Sequence, residues 1–222
     1  MRIMIHLNEV KATIQPGVDL VAVSKFHPAS VLQEAYDAGQ RIFGESRVQE
    51  LQTKYEALPK DIEWHFIGHL QANKVKYIAP YISLIHAVDS MKLLTEINKQ
   101  AEKHNRVISC LLELHIAQEE SKFGFLPDEC TQMLNEGKWR DLHHVQIAGL
   151  MCMASNVTDE AQIRSEFHKA NTYFQEIKAR FFANDDAFCQ RSWGMSHDYQ
   201  IAMKEGASLV RIGTAIFGER EY

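Results

Sequence analysis

The chain has 222 residues, 45% of them hydrophobic and 24% charged, and its 29 acidic and 24 basic side chains give a formal charge of -5. That length suits one α/β domain of the larger sort, so a single domain over residues 1–222 is expected. No apolar run approaches the roughly 18 residues that span a bilayer, and no dense Lys/Arg run offers the footprint that nucleic acid needs; neither membrane nor nucleic acid is an expected partner.

Cys110, Cys130, Cys152 and Cys189 are widely spaced with no Cys-x-x-Cys pair, which argues against a zinc site and against a disulfide framework. The amino terminus, Met1-Arg-Ile-Met-Ile-His, lacks the longer apolar stretch and small-residue cleavage site of a secretory signal, so a cytoplasmic location is expected.

The first run of strand-forming residues, Asp19-Leu-Val-Ala-Val-Ser-Lys25, ends in a lysine. Desolvating an ammonium costs free energy, so this lysine either snorkels to water or has its pKa lowered. The second state is a nucleophilic amine able to form Schiff bases with aldehydes. The segment alone leaves both readings open.

From there on, short apolar runs alternate with helical patterns, the rhythm of βα units around a parallel sheet. The strand runs are Asp19 to Lys25, Arg41 to Glu45, Trp64 to Gly68, Leu84 to Asp89, Ile108 to Ile116, Gln146 to Met151, Phe188 to Gly194 and Ser208 to Gly213, eight in all. Pro28 fits the first helical turn after the first strand, Val31, Leu32, Ala35 and Tyr36 its apolar face, and Gly39 its end. Ser46-Arg-Val-Gln49 reads as a capping box opening the next helix. The longest helix follows Asp159 and Glu160, whose charges suit its amino end. Its stripe Ile163, Phe167, Ala170, Phe174, Ile177, Phe181 steps by four and three and is core.

Eight such units fit a closed barrel or an open doubly wound sheet. An open sheet would usually carry a glycine-rich turn after its first strand, whereas here the chain continues Ser24-Lys25-Phe26-His27-Pro28. The expected fold is therefore α/β, a single (β/α)8 TIM-type barrel, in which the first and eighth strands are neighbours.

Barrels of this kind often hold a phosphate with the loops after strands seven and eight. Those loops are Gly194-Met195-Ser196-His197-Asp198 and Arg211-Ile212-Gly213-Thr214-Ala215. Singly, Gly-x-Ser and Gly-Thr are also turn and cap chemistry. Barrel closure gives them a common target, because strand eight then stands beside Lys25. Arg211 shares a strand face with Gly213, and its guanidinium needs an acceptor: a barrel carboxylate, a bound phosphate or a ligand ring nitrogen. His65 and His69 have the spacing of a helical metal pair, but Gly68 and the preceding strand break that helix, so no metal site is expected. Lys122, in Glu-Glu-Ser-Lys122, is the rival amine, in a charge-rich setting that keeps its pKa high.

The motifs Leu-Val-Ala-Val-Ser-Lys25, Phe-Gly-Glu-Ser-Arg-Val-Gln-Glu50, His-Phe-Ile-Gly-His-Leu-Gln-Ala-Asn-Lys74, Val-Asp-Ser90, Glu-Glu-Ser-Lys-Phe-Gly124, Gly-Leu-Met151, Gly-Met-Ser-His-Asp198 and Val-Arg-Ile-Gly-Thr-Ala-Ile-Phe-Gly218 extend over nearly the whole chain. By these the chain resembles the pyridoxal 5'-phosphate (PLP) homeostasis proteins, the YggS/PROSC or alanine racemase N-terminal-like family. The resemblance implies a single (β/α)8 barrel holding PLP as an aldimine on Lys25, with Ser196, Arg211, Gly213 and Thr214 around the cofactor. Met195 and Ser46 complete the candidate set, Ser46 standing where the family usually has asparagine. The resemblance also implies a role in PLP homeostasis and supply without an established catalytic activity, so no catalytic residue is assigned. Expected partners are PLP, PLP-dependent apoenzymes and amino acids; a monomer is expected, though the sequence itself does not reveal the oligomeric state. The alternative is a small PLP-dependent amino-acid racemase-like enzyme, which needs an acid or base facing Lys25. A third reading, an aldolase-type amine acting on a phosphorylated sugar, ranks last against the PLP motifs.

Overall fold

Eight short runs, most of them rich in aliphatic and aromatic residues, form the strands of one sheet in the computed structural model, which describes residues 2–118 and 123–219. The strands are β1 Asp19–Val23, β2 Ile42–Glu45, β3 Glu63–Phe66, β4 Leu84–Val88, β5 Ile108–Leu114, β6 Val145–Cys152, β7 Gln190–Met195 and β8 Leu209–Ile212. All pair in parallel in chain order, and β8 returns to β1, closing the barrel. The ring between β8 and β1 pairs Val21 with Arg211 and Ala22 with Ile212. The last strand therefore delivers its loop beside Lys25, which lies just past the end of β1.

The helices are α1 Arg2–Thr13, α2 Ala29–Asp37, α3 Val48–Ala57, α4 Val75–Ile78, α5 Met91–Lys103, α6 Pro127–Glu136, α7 Glu160–Phe181, α8 Tyr199–Lys204 and α9 Thr214–Phe217. Pro28 caps α2, and Gly39 ends it at φ +89°, with its N–H donating to the Tyr36 carbonyl at 2.8 Å and the Gln40 N–H to that of Ala35 at 3.0 Å. This is the left-handed closure that glycine permits. Asp159 opens α7 by accepting the N–H groups of Ala161 and Gln162, and Ile163, Phe167, Ala170, Phe174 and Ile177 are buried as the stripe predicts. The short α9 offers one turn, and α1 packs beside it and against α2 through Ile3, Leu7 and Val10.

The capping box at Ser46 is not formed. Helix α3 starts one residue later, with Arg47 as its cap and no side-chain capping bond. Ser46 instead stays against the β3 end: a Cβ on Gly68 would lie 2.7 Å from the Ser46 Cβ, so the two loops already touch through backbone.

Alternation along the strands divides the core in two. Outward side chains such as Phe43, Trp64 and Phe66 meet the helices, whereas Val21, Leu84, Leu111, Ala148, Met151 and Leu209 form a separate cluster inside the barrel. Gly149 sits beside a register shift in the β5–β6 ladder, at φ +151°. A Cβ there would fall 1.9 Å from the Gln190 carbonyl oxygen, so β7 approaches closely only because this residue has no side chain. Among the described residues no helix is long and apolar enough to cross a membrane.

Candidate cofactor site

Lys25, Met195, Ser196, Arg211, Gly213 and Thr214 line one cavity of about 210 Å³ at the carboxyl ends of β1, β7 and β8, together with Val23, Ile67, Met153 and His197. This is the end of a (β/α)8 barrel at which ligand groups collect. Ser46, the remaining candidate, stands apart. It lines a neighbouring hollow with Arg47, Gln49, His69 and Lys74.

Local chemistry shapes each loop. The β7 loop is turned by Asp198, whose buried carboxylate accepts the Met195 N–H at 2.6 Å, and Gly194 at φ +95° packs where a Cβ would lie 2.6 Å from that of Ala202. The β8 loop lies directly on β1: a Cβ on Gly213 would stand 2.8 Å from the Val23 carbonyl oxygen. Ser196 Oγ accepts the Gly213 N–H at 3.2 Å and so joins the two loops. Helix α9 begins at Thr214, and the early N–H groups of a helix have no intrahelical acceptor. The two loops meet beside Lys25, as barrel closure requires.

Arg211 takes none of its three expected acceptors from this chain. Its Nη1 donates to the Ser192 carbonyl and to Ser192 Oγ, both at 2.6 Å, and Nη2 donates to the Cys152 carbonyl at 2.9 Å. Ser192 Oγ lies 2.8 Å from His86 Nδ1, and His86 Nε2 lies 3.0 Å from His65 Nδ1. One arrangement gives every group a partner: Ser192 donates its hydroxyl to His86, and His86 donates through Nε2 to His65. Burial holds both rings neutral, lowering His65 to about 3 and His86 well below the ordinary value, the latter helped by His65 and by the Arg211 charge. Arg211 is buried too, and burial lowers its pKa while Cys152, Asp198 and Glu113 oppose the shift. Burial and the Asp89 carboxylate raise Glu113 to about 7 against the pull of Arg211.

Sequence reasoning weighed His65 as half of a metal pair with His69 and passed over His86 and Ser192. The signal was present: His65 and His86 occupy alternate positions in β3 and β4, on the face opposite Trp64 and Phe66, and inward histidines in so narrow a barrel must bond one another or a neighbouring hydroxyl. His69 pairs with Asp89 at 3.4 Å and stacks on Phe123, and no metal-binding cluster occurs among the described residues. A larger hollow of about 690 Å³ opens outside the barrel beside Phe26, His27 and Pro28, but its lysine, Lys54, has its protons committed to other acceptors.

The sequence matches the family described as alanine racemase, N-terminal domain, over residues 2–221. The chain belongs to this family. A pyridoxal phosphate homeostasis protein of Aquifex aeolicus is 40% identical over 204 residues, covering 91% of this chain and 87% of the relative. One from Schizosaccharomyces pombe is 36% identical over 221 residues, covering 96% and 91%. The solved structure of PipY from Synechococcus elongatus with PLP bound superposes with a TM-score of 0.88 at 35% identity, covering 97% of this chain and 100% of that one. Lys122, the rival amine of this alanine racemase N-terminal domain, lies outside the described residues.

Proposed function

We propose that the chain binds PLP in the cavity below the β1, β7 and β8 loops, with Lys25 as its covalent attachment point, and acts in PLP homeostasis and supply. The observation that carries this reading is the convergence of Lys25, the Ser196-to-Gly213 bond and Arg211 on one cavity. The donor set fits the cofactor. Ser196, Thr214 and the α9 amino end suit a phosphate, a lysine suits an aldehyde, and a fixed guanidinium suits a ring nitrogen. One barrel domain carries all of these groups.

When bound, PLP supplies an aldehyde that condenses with amines and a ring that withdraws electrons from them. Lys25 orients and retains it, and Ser196, Gly213 and Thr214 hold its phosphate. Arg211 has no proton to release, so beside a ring nitrogen it would leave that nitrogen unprotonated and would weaken the ring as an electron sink. Val23, Ile67, Met153 and Met195 are the apolar walls and neither accept nor donate a proton. These features favour a carrier that exchanges PLP with incoming amino acids or with lysines of apoenzymes. Thr214 is exposed and Lys25 half-buried, so an incoming amine has access to the mouth. We read the protein as a cytoplasmic monomer; all four cysteines are free thiols, as a reducing compartment would keep them.

Borohydride reduction of the PLP-loaded protein followed by peptide mapping tests the site. The expected result is a pyridoxyl mass on the peptide containing Lys25, and attachment at another lysine overturns the assignment. Incubation with a panel of amino acids tests the carrier role, which sustained turnover abolished by Lys25→Ala would refute.

A further inference from the structure

Lys25 sits between two residues whose backbones are held by a buried ionic cluster on the outer side of β1. Alternation sends Lys25 toward the barrel mouth and Ser24 outward toward α3. There the Lys54 ammonium, only 3% exposed, donates to the Ser24 carbonyl at 2.8 Å, to Glu45 Oε1 at 2.6 Å and to Glu50 Oε1 at 2.7 Å. An ammonium has three protons, and each has an acceptor here. Ser24 Oγ donates to the same Glu45 oxygen at 2.6 Å.

The other flank of Lys25 is held by the same cluster. Glu50 Oε1 accepts the Phe26 N–H at 2.6 Å, and the Arg47 guanidinium lies 4.5 Å from the centre of the Phe26 ring. Phe26 has φ +70°, a left-handed state that a bulky residue adopts only when its surroundings hold it there. Burying the Lys54–Glu45 pair is a costly route to stability alone, since packed apolar residues serve as well. What this cluster does that apolar residues could not is bond the backbone before and after Lys25.

We propose that Lys54, Glu45 and Glu50 are positioning residues for Lys25, fixing through Ser24 and Phe26 the direction in which its amine enters the cavity. The proposal rests on the reading of Lys25 as the PLP attachment point. Condensation of that amine with an aldehyde forms a C=N bond to the aldehyde carbon and releases the carbonyl oxygen as water. Its rate depends on aim. The phosphate cradle at Ser196, Gly213 and Thr214 is built on the β7 and β8 loops, and the hydrogen bonds of Lys54, Glu45 and Glu50 go to Ser24, Phe26 and one another rather than to it.

The test uses the full chain and two probes, PLP and pyridoxine 5'-phosphate, which has the phosphate and ring but no aldehyde. Glu50→Ala and Lys54→Met are expected to slow PLP capture, read as visible absorbance and borohydride-fixed mass, by about tenfold or more while affinity for pyridoxine 5'-phosphate stays within about twofold. Glu50→Gln retains an acceptor for Phe26 and Lys54 and is expected to restore capture, which loss of packing alone would not explain. Glu50 is 21% exposed, so its variants remain informative if Lys54→Met does not fold. A Glu50→Ala protein that captures PLP at the wild-type rate overturns the positioning role. A wild-type adduct mapping away from Lys25 overturns the underlying site as well, and peptide mapping distinguishes the two failures.

Discussion

His65 Nδ1 and His86 Nε2 lie 3.0 Å apart inside the barrel, both rings buried, and through Ser192 they stand behind the guanidinium of Arg211. Each ring stays neutral well below the ordinary histidine pKa because its charged form would be desolvated.

The pair is expected to set the acid limit of the fold. Below pH ~6.5 the unfolded chain takes up a proton on each histidine that the folded chain does not, so their contribution is present above that pH and is lost on acidification at about 1.4 kcal/mol per pH unit per ring. Glu45 and Glu113, raised to about 7 mainly by burial, have the opposite sign. Between their unfolded value of ~4.3 and 7 the folded chain holds protons that the unfolded chain does not, so this contribution falls as pH rises. The two effects offset one another near pH 5 to 6, and steep loss is expected below about pH 4.5, where the histidines act alone. Urea unfolding measured across pH checks this. In His65→Asn the acid slope should drop by about one proton, and an unchanged slope would assign the acid limit elsewhere.

Arg211→Met should cost about 3 kcal/mol, because it leaves the Ser192 hydroxyl and the carbonyls of Ser192 and Cys152 without their buried donor. Arg211→Lys keeps the charge but loses the fork that reaches two strands, and should fall between. Denaturant midpoints compare the three proteins, and the expected order is arginine, lysine, methionine.

Gly213→Ala should weaken PLP binding more than it weakens the fold. At φ -121° and ψ -69° it is outside the left-handed region that only glycine tolerates well, and the main added cost is the contact with the Val23 carbonyl, which must push the β8 loop off β1 and stretch its bond to Ser196. We expect about 1–3 kcal/mol of lost stability and loss of most cofactor affinity. Gly17→Ala is the control: at φ +83° with nothing within 4 Å of its Cβ, it strains the backbone only, and PLP affinity should be unchanged.

Gly149→Ala should be far more severe, because its Cβ meets the Gln190 carbonyl at 1.9 Å in the β6–β7 ladder. A loss of about 4 kcal/mol or more, or failure to accumulate folded protein, is the expected outcome, measured by thermal melting and by soluble yield.

The chain announces its architecture through period. Eight apolar runs, the stripe of α7, the Asp159 cap and the Gly39 stop are local signals, and local signals depend on nearby residues alone. Lys25, Ser196, Arg211, Gly213 and Thr214 were legible as residues at or just past strand ends for the same reason, while Met195 and every cofactor role came from the family resemblance. Ser46 was legible as a polar residue after β2, but its close approach to Gly68, distant in sequence, its place in a neighbouring hollow and the start of α3 at Val48 were not.

Sequence by itself thus determined the barrel, its order and the polar residues at its mouth. Only tertiary structure decided which polar groups meet. His65, His86, Ser192 and Arg211 belong to four strands, and Ser24, Glu45, Glu50 and Lys54 to three segments joined across the β1–β2 edge. Hydrogen bonds require atoms within about 3 Å, and strand register sets such distances only once the barrel has closed.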